Sequence, residues 1–474
     1  METNPTPINQ PGLGDEPSET VMPTAAVSVE KAVIDAVADN ANDMPRPVAK
    51  ADRIQTIDLI RGFALLGILM MNIPGFGFMR SGFFNFIKNT HSADFYTFAV
   101  VETAFSGTMR ALFSMLFGAG MVLFLTNKKN TETGPSVVEY YYRRLLWLVA
   151  FGVFNAYILL WQGDILYFYG LCGMLLLPFH KLKPGPLIVI AIICMSISPF
   201  RNNLWYAQTR ENRAGYLQAV KLEKAHKKPT PKQLEAKTAW ENFEKNFKPD
   251  PKKDAKALKE MRSGYGTVFM HLLPENSDGE SWGMYFGLWD MLLMMFIGMA
   301  LLSWGFFSNR LPSSTYAVTL LVGYGLGLPI SWFYMKTEVA WITDPGQVVD
   351  YYRMLPFDLY DIRRVLLALG HASLLVLLYR SRFVPWLMAA LTAVGQMAFT
   401  NYLMQSIICT LFFYGYGLGY YGKLAYHQLY YVVAAVWVFQ LIISPIWLRY
   451  FLFGPFEWVW RSLTYWKRQP MLRA

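Results

Sequence analysis

The sequence predicts an all-α polytopic membrane protein, a bundle of about ten transmembrane helices with a basic helical insert outside the membrane. Three observations carry that prediction. The 474 residues are 54% hydrophobic and 16% aromatic but only 16% charged, whereas soluble domains average about 25% charged. The apolar residues gather in runs of about twenty, the length at which a helix crosses a bilayer. The runs do not alternate every second residue, as barrel strands do. The formal charge of +10 sits in loops and in the insert, so membrane topology accounts for much of it and no nucleic-acid partner is implied. Cys172, Cys194 and Cys409 lie in apolar runs without CxxC spacing. They read as buried thiols, with neither a disulfide framework nor a metal site.

Residues 1–52 are polar and rich in Pro, Ala, Asp and Glu. They contain no apolar signal core and read as a disordered tail. The first membrane block, 53–200, opens with the run Ile57–Gly77, IDLIRGFALLGILMMNIPGFG. Asp58 and Arg61 are three residues apart and share a helix face. Asn72 lies about three turns past Arg61 and falls on that face too. Ionisable groups at membrane depth are costly and usually serve function. The next apolar segment, about Phe95–Thr126, is too long for one straight crossing. A break at Ser106–Gly107 divides it into an interfacial part and a spanning part. The spanning part holds Arg110 and ends in LFGAG, where Gly118, Ala119 and Gly120 permit close helix contact. Further spans run over about Leu145–Leu160, from the tight turn Trp161-Gln162-Gly163-Asp164 to Phe179, and over about Leu187–Phe200.

Residues 201–280 form the charged, basic insert. Thr230-Pro231 and Asp250-Pro251 each pair an N-cap residue with Pro at the first helical position. Trp240, Phe243 and Phe247 fall on one side of the first helix, and Ala255, Leu258 and Met261 on one side of the second. Such amphipathic helices cap a membrane domain or lie on lipid. The second membrane block, 281–448, contains spans at about Met284–Trp304, Ser314–Met335, Leu359–Tyr379, Pro385–Phe413 (long enough to be broken) and Leu429–Trp447. A tail, 449–474, follows.

Basic residues orient such a bundle. Lys128, Lys129, Arg143, Arg144, Lys181, Lys183, Arg310, Arg380 and Arg382 fall in short loops on the side of the basic tail, and the WQGD turn opposite has no base. Both termini are then cytoplasmic, and the long connections 201–280 and 336–358 lie outside. Arg80 and Lys88 run against this pattern. Asp58 and Arg61 lie near the cytoplasmic face, and Asn72, Asn155 and Asp164 in the outer half. Asp290 enters its helix from outside, and His371 sits mid-span. Asn401 and Gln405, four residues apart, share a face. Each has a plainer reading: Asn401 and Gln405 as bonds across helices, His371 as a satisfied core residue, Asp164 as a helix N-cap.

The stretches AVGQMAFTNYLMQSIICTLFFYG (393–415) and FGPFEWVWRSLTY (453–465), with DLIRGFALLGILMMN (58–72), LFGAG (116–120) and GDIL (163–166), resemble the YeiB-like family. This is a group of bacterial inner-membrane proteins classed as domain of unknown function 418. The resemblance covers most of 53–467 but neither the basic insert nor the first fifty residues. The first helix is also distantly similar to that of a wider superfamily of transmembrane acyltransferases, including the lysosomal enzyme that acetylates heparan glucosamine. That similarity implies a bacterial inner-membrane enzyme that moves an acyl group, with acyl-CoA as a candidate donor, to an envelope sugar or similar acceptor. Arg61, oriented by Asp58, would meet the donor's phosphates. Asp164 or His371 would be the general base. Asn72, Asn155, Asn401 and Gln405 would line the substrate site, binding the acceptor or polarising the acyl carbonyl. His91 occupies a place similar to the catalytic His of the heparan enzyme. Relatives commonly carry a His before the GDIL turn, where this chain has Asn155. The alternative is a transporter of a small solute, since the insert divides the spans into two halves of five. RGFALLG and FGAG have no clear counterpart after Met284. A third reading is a scaffold whose basic insert docks anionic lipid or an envelope partner.

Overall fold

The computed structural model describes residues 54–126, 135–352 and 359–473. The expected tail over 1–52 and the bases Lys128 and Lys129 lie outside the described residues. All the helices belong to one compact unit, Val48–Lys128 with Val137–Ala474. The other unit, Met1–Pro47 with Lys129–Ser136, contributes only Pro135 and Ser136 to the described residues.

Helix α1 is Gln55–Gly77. Its most apolar stretch is 67% buried, against 22% for the long helices Pro184–Lys224 and Ser313–Thr343. The helix is therefore central, and those two present most of their surface outward. Leu59, Ile60, Leu65 and Ile73 carry no exposed surface. After α2 (Arg80–Phe86) come α3 (Ala93–Ala104) and α4 (Thr108–Thr126). The break between them falls where the sequence places it. Gly107 adopts φ +68°, a left-handed conformation that glycine takes without steric cost. Of the three small residues in LFGAG, Gly118 makes a backbone contact. A Cβ there would strike the Met295 carbonyl, and one on Gly298 would strike Met115's, so two backbones touch reciprocally. Gly120 faces open space.

Helix α5 is Val137–Tyr157 and α6 is Leu166–Leu176, joined by the expected tight turn. Helix α7 runs unbroken from Pro184 to Lys224, so the boundary expected at 200/201 falls inside a helix. Forty-one residues at ~1.5 Å each reach about 62 Å, twice the apolar thickness of a bilayer. Its far half carries α8 (Pro231–Lys245), which starts with the capping box of Thr230 and Gln233, while α9 (Pro251–Met261), capped by Asp250, lies against α2 and bonds Gly415 N–H through Met261 O. Helix α10 (Tyr265–Asp278) then leads through a wider π-helical turn, Gly279–Gly283, into α11 (Met284–Ser303).

Helices α12 (Ser313–Thr343) and α13 (Pro345–Tyr351) precede α14 (Leu359–Ser381). The expected Pro385–Phe413 span is broken at Met397 into α15 (Pro385–Gln396) and α16 (Ala398–Phe413). Helices α17 (Tyr426–Tyr450) and α18 (Pro455–Tyr465) complete the order. The two long connections meet. Arg213 pairs with Asp350 at 2.9 Å, Tyr206 stacks on Tyr352 at 3.4 Å, and Trp341 stacks on Phe247 at 5.4 Å. The aromatic stripe of the insert is thus packed into a helical cap, and Trp240 is 1% exposed.

Among the described residues, seven helical segments are long and apolar enough to cross a membrane, and Leu166–Phe179 and Ala398–Phe413 are shorter apolar helices. The difference from about ten has physical causes. Breaks shorten α15 and α16, and α5 carries Glu139, Arg143 and Arg144 in its first two turns. The architecture is that of an all-α membrane protein embedded in a lipid bilayer.

Candidate functional site

The polar residues of the bundle assemble into four groups. The first surrounds the α5–α6 turn. Leu160 adopts φ +59°, which lets the chain reverse within five residues. Asp164 is 7% exposed. Its Oδ1 accepts from Asn155 Nδ2 at 2.8 Å and from the Tyr402 hydroxyl at 3.4 Å. Its Oδ2 accepts from Tyr167 N–H at 2.9 Å, in the first turn of α6. Tyr402 is itself fixed by accepting from Ile165 N–H at 3.2 Å. Asp164 therefore does cap α6, and it is also the focus of a buried network drawn from α5, α6 and α16. Gly152 makes room for it, since a Cβ there would lie 2.7 Å from Oδ2. Asp164 stands in the turn between the helices. Burial pushes its carboxyl up to about 7, against the lowering effect of Tyr167 N–H and Asn155.

The second group lies at the N-terminal end of α1. Arg61 donates to Asp58 at 2.8 Å, and the two side chains are 27% and 10% exposed. Arg144 of α5 stacks over Trp460 at 4.2 Å, close enough for its charge and that of Arg61 to act on one another. Two guanidiniums with one carboxylate leave positive charge there, a setting suited to phosphate. The far end of α1 is tied to the turn, where Gln162 Nε2 donates to Gly75 O at 3.2 Å. Asn72 lies near that end, half-buried.

The third group pins the α3–α4 break. His371 Nε2 lies 3.0 Å from Ala104 O, and its Nδ1 lies 2.7 Å from the Tyr324 hydroxyl. A carbonyl only accepts, so Nε2 carries the proton, and the neutral ring's Nδ1 accepts from Tyr324. Both nitrogens are used, and the ring stacks on Phe105 at 5.6 Å. Arg363 donates to Ser106 O at 3.3 Å and to Ser331 Oγ at 3.1 Å. Arg364 donates to Gly107 O at 3.1 Å, pairs with Asp361 at 3.1 Å and grips Asp290 with both terminal nitrogens. Arg110 donates to the same carboxylate at 3.0 Å. His371 thus belongs to this hinge and is not gathered with Asp164.

The fourth group joins α15, α16, α17 and α18. Asn401 Nδ2 donates to Val394 O and to Ser444 Oγ, both at 3.1 Å. Gln405 Nε2 donates to Gln440 at 2.9 Å, and Gln440 in turn donates to Asn401 O at 2.8 Å. These are bonds across helices, the plainer of the two readings. Glu457 of α18 accepts from Phe399 N–H at 2.8 Å and Thr400 N–H at 3.0 Å, so it caps the broken start of α16. His91 is exposed in its loop, with Tyr96 as its neighbour at 3.5 Å.

Sequence reasoning singled out neither Tyr402, the Arg363–Arg364 pair nor Glu457. Each leaves a trace. The two arginines interrupt an apolar run in DIRRVLLALG, and Glu457 stands three residues after Gly454 in FGPFE, the spacing of a helix start. Tyr402 is one of many tyrosines, and only the fold sets it apart.

A family model described as a protein of unknown function (DUF418) matches residues 301–467. The chain is 31% identical to the uncharacterized protein YxaH of Bacillus subtilis over 448 residues, covering 90% of this chain and 98% of that one. It is 29% identical to the uncharacterized protein YeiB of Escherichia coli, covering 87% and 96%. It is 27% identical to an uncharacterized 39.9 kDa protein encoded 3′ of an amylase gene in Bacillus acidopullulyticus, covering 90% and 98%. The protein is a member of the YeiB-like DUF418 family. No solved structure matches it.

Proposed function

We propose that the protein is a bacterial inner-membrane acyltransferase, with both termini cytoplasmic, that acylates an envelope sugar or similar acceptor. The observation that carries this reading is Asp164, a buried carboxyl in the turn between α5 and α6, held on both oxygens and pushed by burial up to about 7. A base poised near neutrality is what hydroxyl acylation requires. In the reaction an acceptor hydroxyl gives its proton to Asp164 as its oxygen bonds to the acyl carbonyl carbon. The bond from that carbon to the donor's leaving atom then breaks, and the proton passes from Asp164 to the leaving atom. Asn155, whose amide is already committed to Asp164, orients the base. Tyr402 holds it from the opposite helix. At the other end of α1, Arg61 and Arg144 supply the charge for a donor's phosphates, which fits an acyl-CoA. Arg61 and Gly75 are fourteen residues apart along α1, about 21 Å at helical rise, so the acyl-bearing arm must cross the bundle to reach Asp164.

Asp164→Asn should abolish acylation of an envelope glycan, measured by mass spectrometry, while the protein still inserts. Unchanged acylation in that variant would sink the role. Acylation by the wild type should rise as pH increases through about 7, because only the ionised carboxylate accepts a proton. Reporter fusions after Ala474 and within the 201–280 insert test the orientation, which requires the first inside and the second outside.

The interrupted helices α3–α4 and α15–α16 favour a second reading, a small-solute transporter, since discontinuous helices often build transport sites. Uptake into proteoliposomes without an acyl donor supports that reading and removes the first.

A further inference from the structure

The chain from the end of α17 onward, residues 449–473, carries five bases and one acid. The acid is withdrawn from the surface, because Glu457 is buried and commits both oxygens to the start of α16. Arg449, Lys467, Arg468 and Arg473 are exposed, and their side chains form neither an ion pair nor a hydrogen bond among the described residues. Four positive charges therefore stand in one short segment without a counter-charge.

The fold gathers them and holds them still. Trp466 adopts φ +51°, which ends α18 and turns the chain back. Trp458 Nε1 donates to Gln469 O at 2.8 Å, and Gln469 N–H donates to Ser462 Oγ at 3.3 Å. The last described residues then run antiparallel to the end of α17. Leu472 bridges Phe451, Leu452 N–H donates to Met471 O at 2.9 Å, and Arg473 N–H donates to Tyr450 O at 3.0 Å. Arg473 thereby returns to the residue that follows Arg449. Large apolar side chains stand among the bases. Tyr450, Trp466 and Leu472 are 64%, 76% and 68% exposed, and each adjoins one of the four bases in sequence. Exposed aromatic and apolar groups interleaved with bases are what a lipid headgroup layer accepts, the apolar tips below and the charges above. Helix α17 supplies the location. It is long and apolar enough to cross a membrane, and its most apolar stretch is only 28% buried, so it faces lipid along most of its surface. The basic segment begins where that span ends.

We infer that residues 449–473 form a docking surface for acidic phospholipid. The lipid phosphates meet Arg449, Lys467, Arg468 and Arg473, and Tyr450, Trp466 and Leu472 enter the layer beneath. Clustered bases directly after a membrane span attract anionic lipid in this way. A zwitterionic headgroup brings an ammonium with each phosphate and leaves the four charges uncompensated, so it is the poorer complement. The inference is independent of the reaction proposed for Asp164.

The test uses the full chain purified in detergent, incubated with an equimolar mixture of phosphatidylglycerol and phosphatidylcholine and examined by native mass spectrometry. The wild type should retain phosphatidylglycerol in preference, and the preference should fall as salt is raised during incubation. Changing Arg449, Lys467, Arg468 and Arg473 together to Gln should weaken phosphatidylglycerol binding at least tenfold, since each base near an anionic surface contributes a factor of about five. Should the fourfold change disturb the fold, Lys467→Gln alone should still weaken binding about fivefold. A matched variant changes Lys181, Lys183, Arg310 and Arg382, exposed bases of other short loops, to Gln and should keep most of the preference. Equal retention of the two lipids by the wild type, retention by the tail variant, or an equal loss in the matched variant overturns the inference. Loss of a co-purifying protein from the tail variant, with lipid retention unchanged, overturns it too and assigns the surface to that protein.

Discussion

The two breaks in the bundle are chemical opposites. At the α3–α4 break the freed backbone groups are carbonyls, and α14 answers with Arg363, Arg364 and His371 on Ser106, Gly107 and Ala104. At the α15–α16 break the freed groups are N–H donors, and α18 answers with the carboxylate of Glu457. A helix end is partly negative where it stops and partly positive where it starts. Each break is met by the opposite charge, brought from a helix distant in sequence. A bundle in lipid cannot leave such groups to water, so it keeps a broken helix only where another helix supplies the missing partners. Ionisable residues inside a membrane protein are therefore not all chemistry, and the partners of each decide the matter.

Removing the cation from the first break should have the largest effect. Arg364→Ala leaves Asp290 and Asp361 short of a buried partner, and unfolding in detergent or nanodiscs should show a loss of about 3–5 kcal/mol. A wild-type unfolding midpoint would mean that Arg110 alone balances Asp290. Glu457→Ala should come next, at about 2–4 kcal/mol, because two N–H groups at the start of α16 lose their acceptor. Glu457→Gln keeps one carbonyl oxygen for them and should recover part of the loss. If Gln does no better than Ala, the charge rather than the hydrogen bond holds the break. His371→Phe should cost about 1–2 kcal/mol by leaving Ala104 O unpaired. It should retain acyl transfer, whereas a catalytic His371 would lose it. The smallest effect should come from changing Gln405 and Gln440 to Leu together. Both partners of that bond then become apolar, and the bond from Gln440 to Asn401 O goes with it, so the loss should stay at about 1 kcal/mol, and a larger one would give those amides a role beyond joining helices.

The fold was legible where the bilayer imposes it. Twenty-residue apolar runs, the over-long Phe95–Thr126 segment and the Pro385–Phe413 span all carried their form in their length. Gly107 marked the first break because glycine accepts the backbone angle. The second break had no such residue, and only its length hinted at it. The insert's helix starts were readable from Thr230-Pro231 and Asp250-Pro251, yet the boundary at residue 200 was not. Apolar composition ends there and Pro199 stands at the boundary, yet the helix continues through it. The site was legible in part. Asp164 and Asn155 do meet, and Asp58 does pair with Arg61. His371, Asn401 and Gln405 look alike in sequence, as polar groups in apolar helices, and their partners on other helices separate them from Asp164. Those partners, Val394 aside, lie thirty-five or more residues away, as Gln440 does from Gln405 and Tyr324 from His371, beyond the reach of local pattern.

The unbroken α7 fixes a height. If one half of its length of about 62 Å fills the bilayer, the other half carries its end about 30 Å along the helix axis from the lipid boundary. A fluorophore at Lys224 should be quenched weakly by labelled lipid headgroups, and one at Arg201 strongly. The part of α7 beyond Pro199 then holds the cap well clear of the lipid boundary.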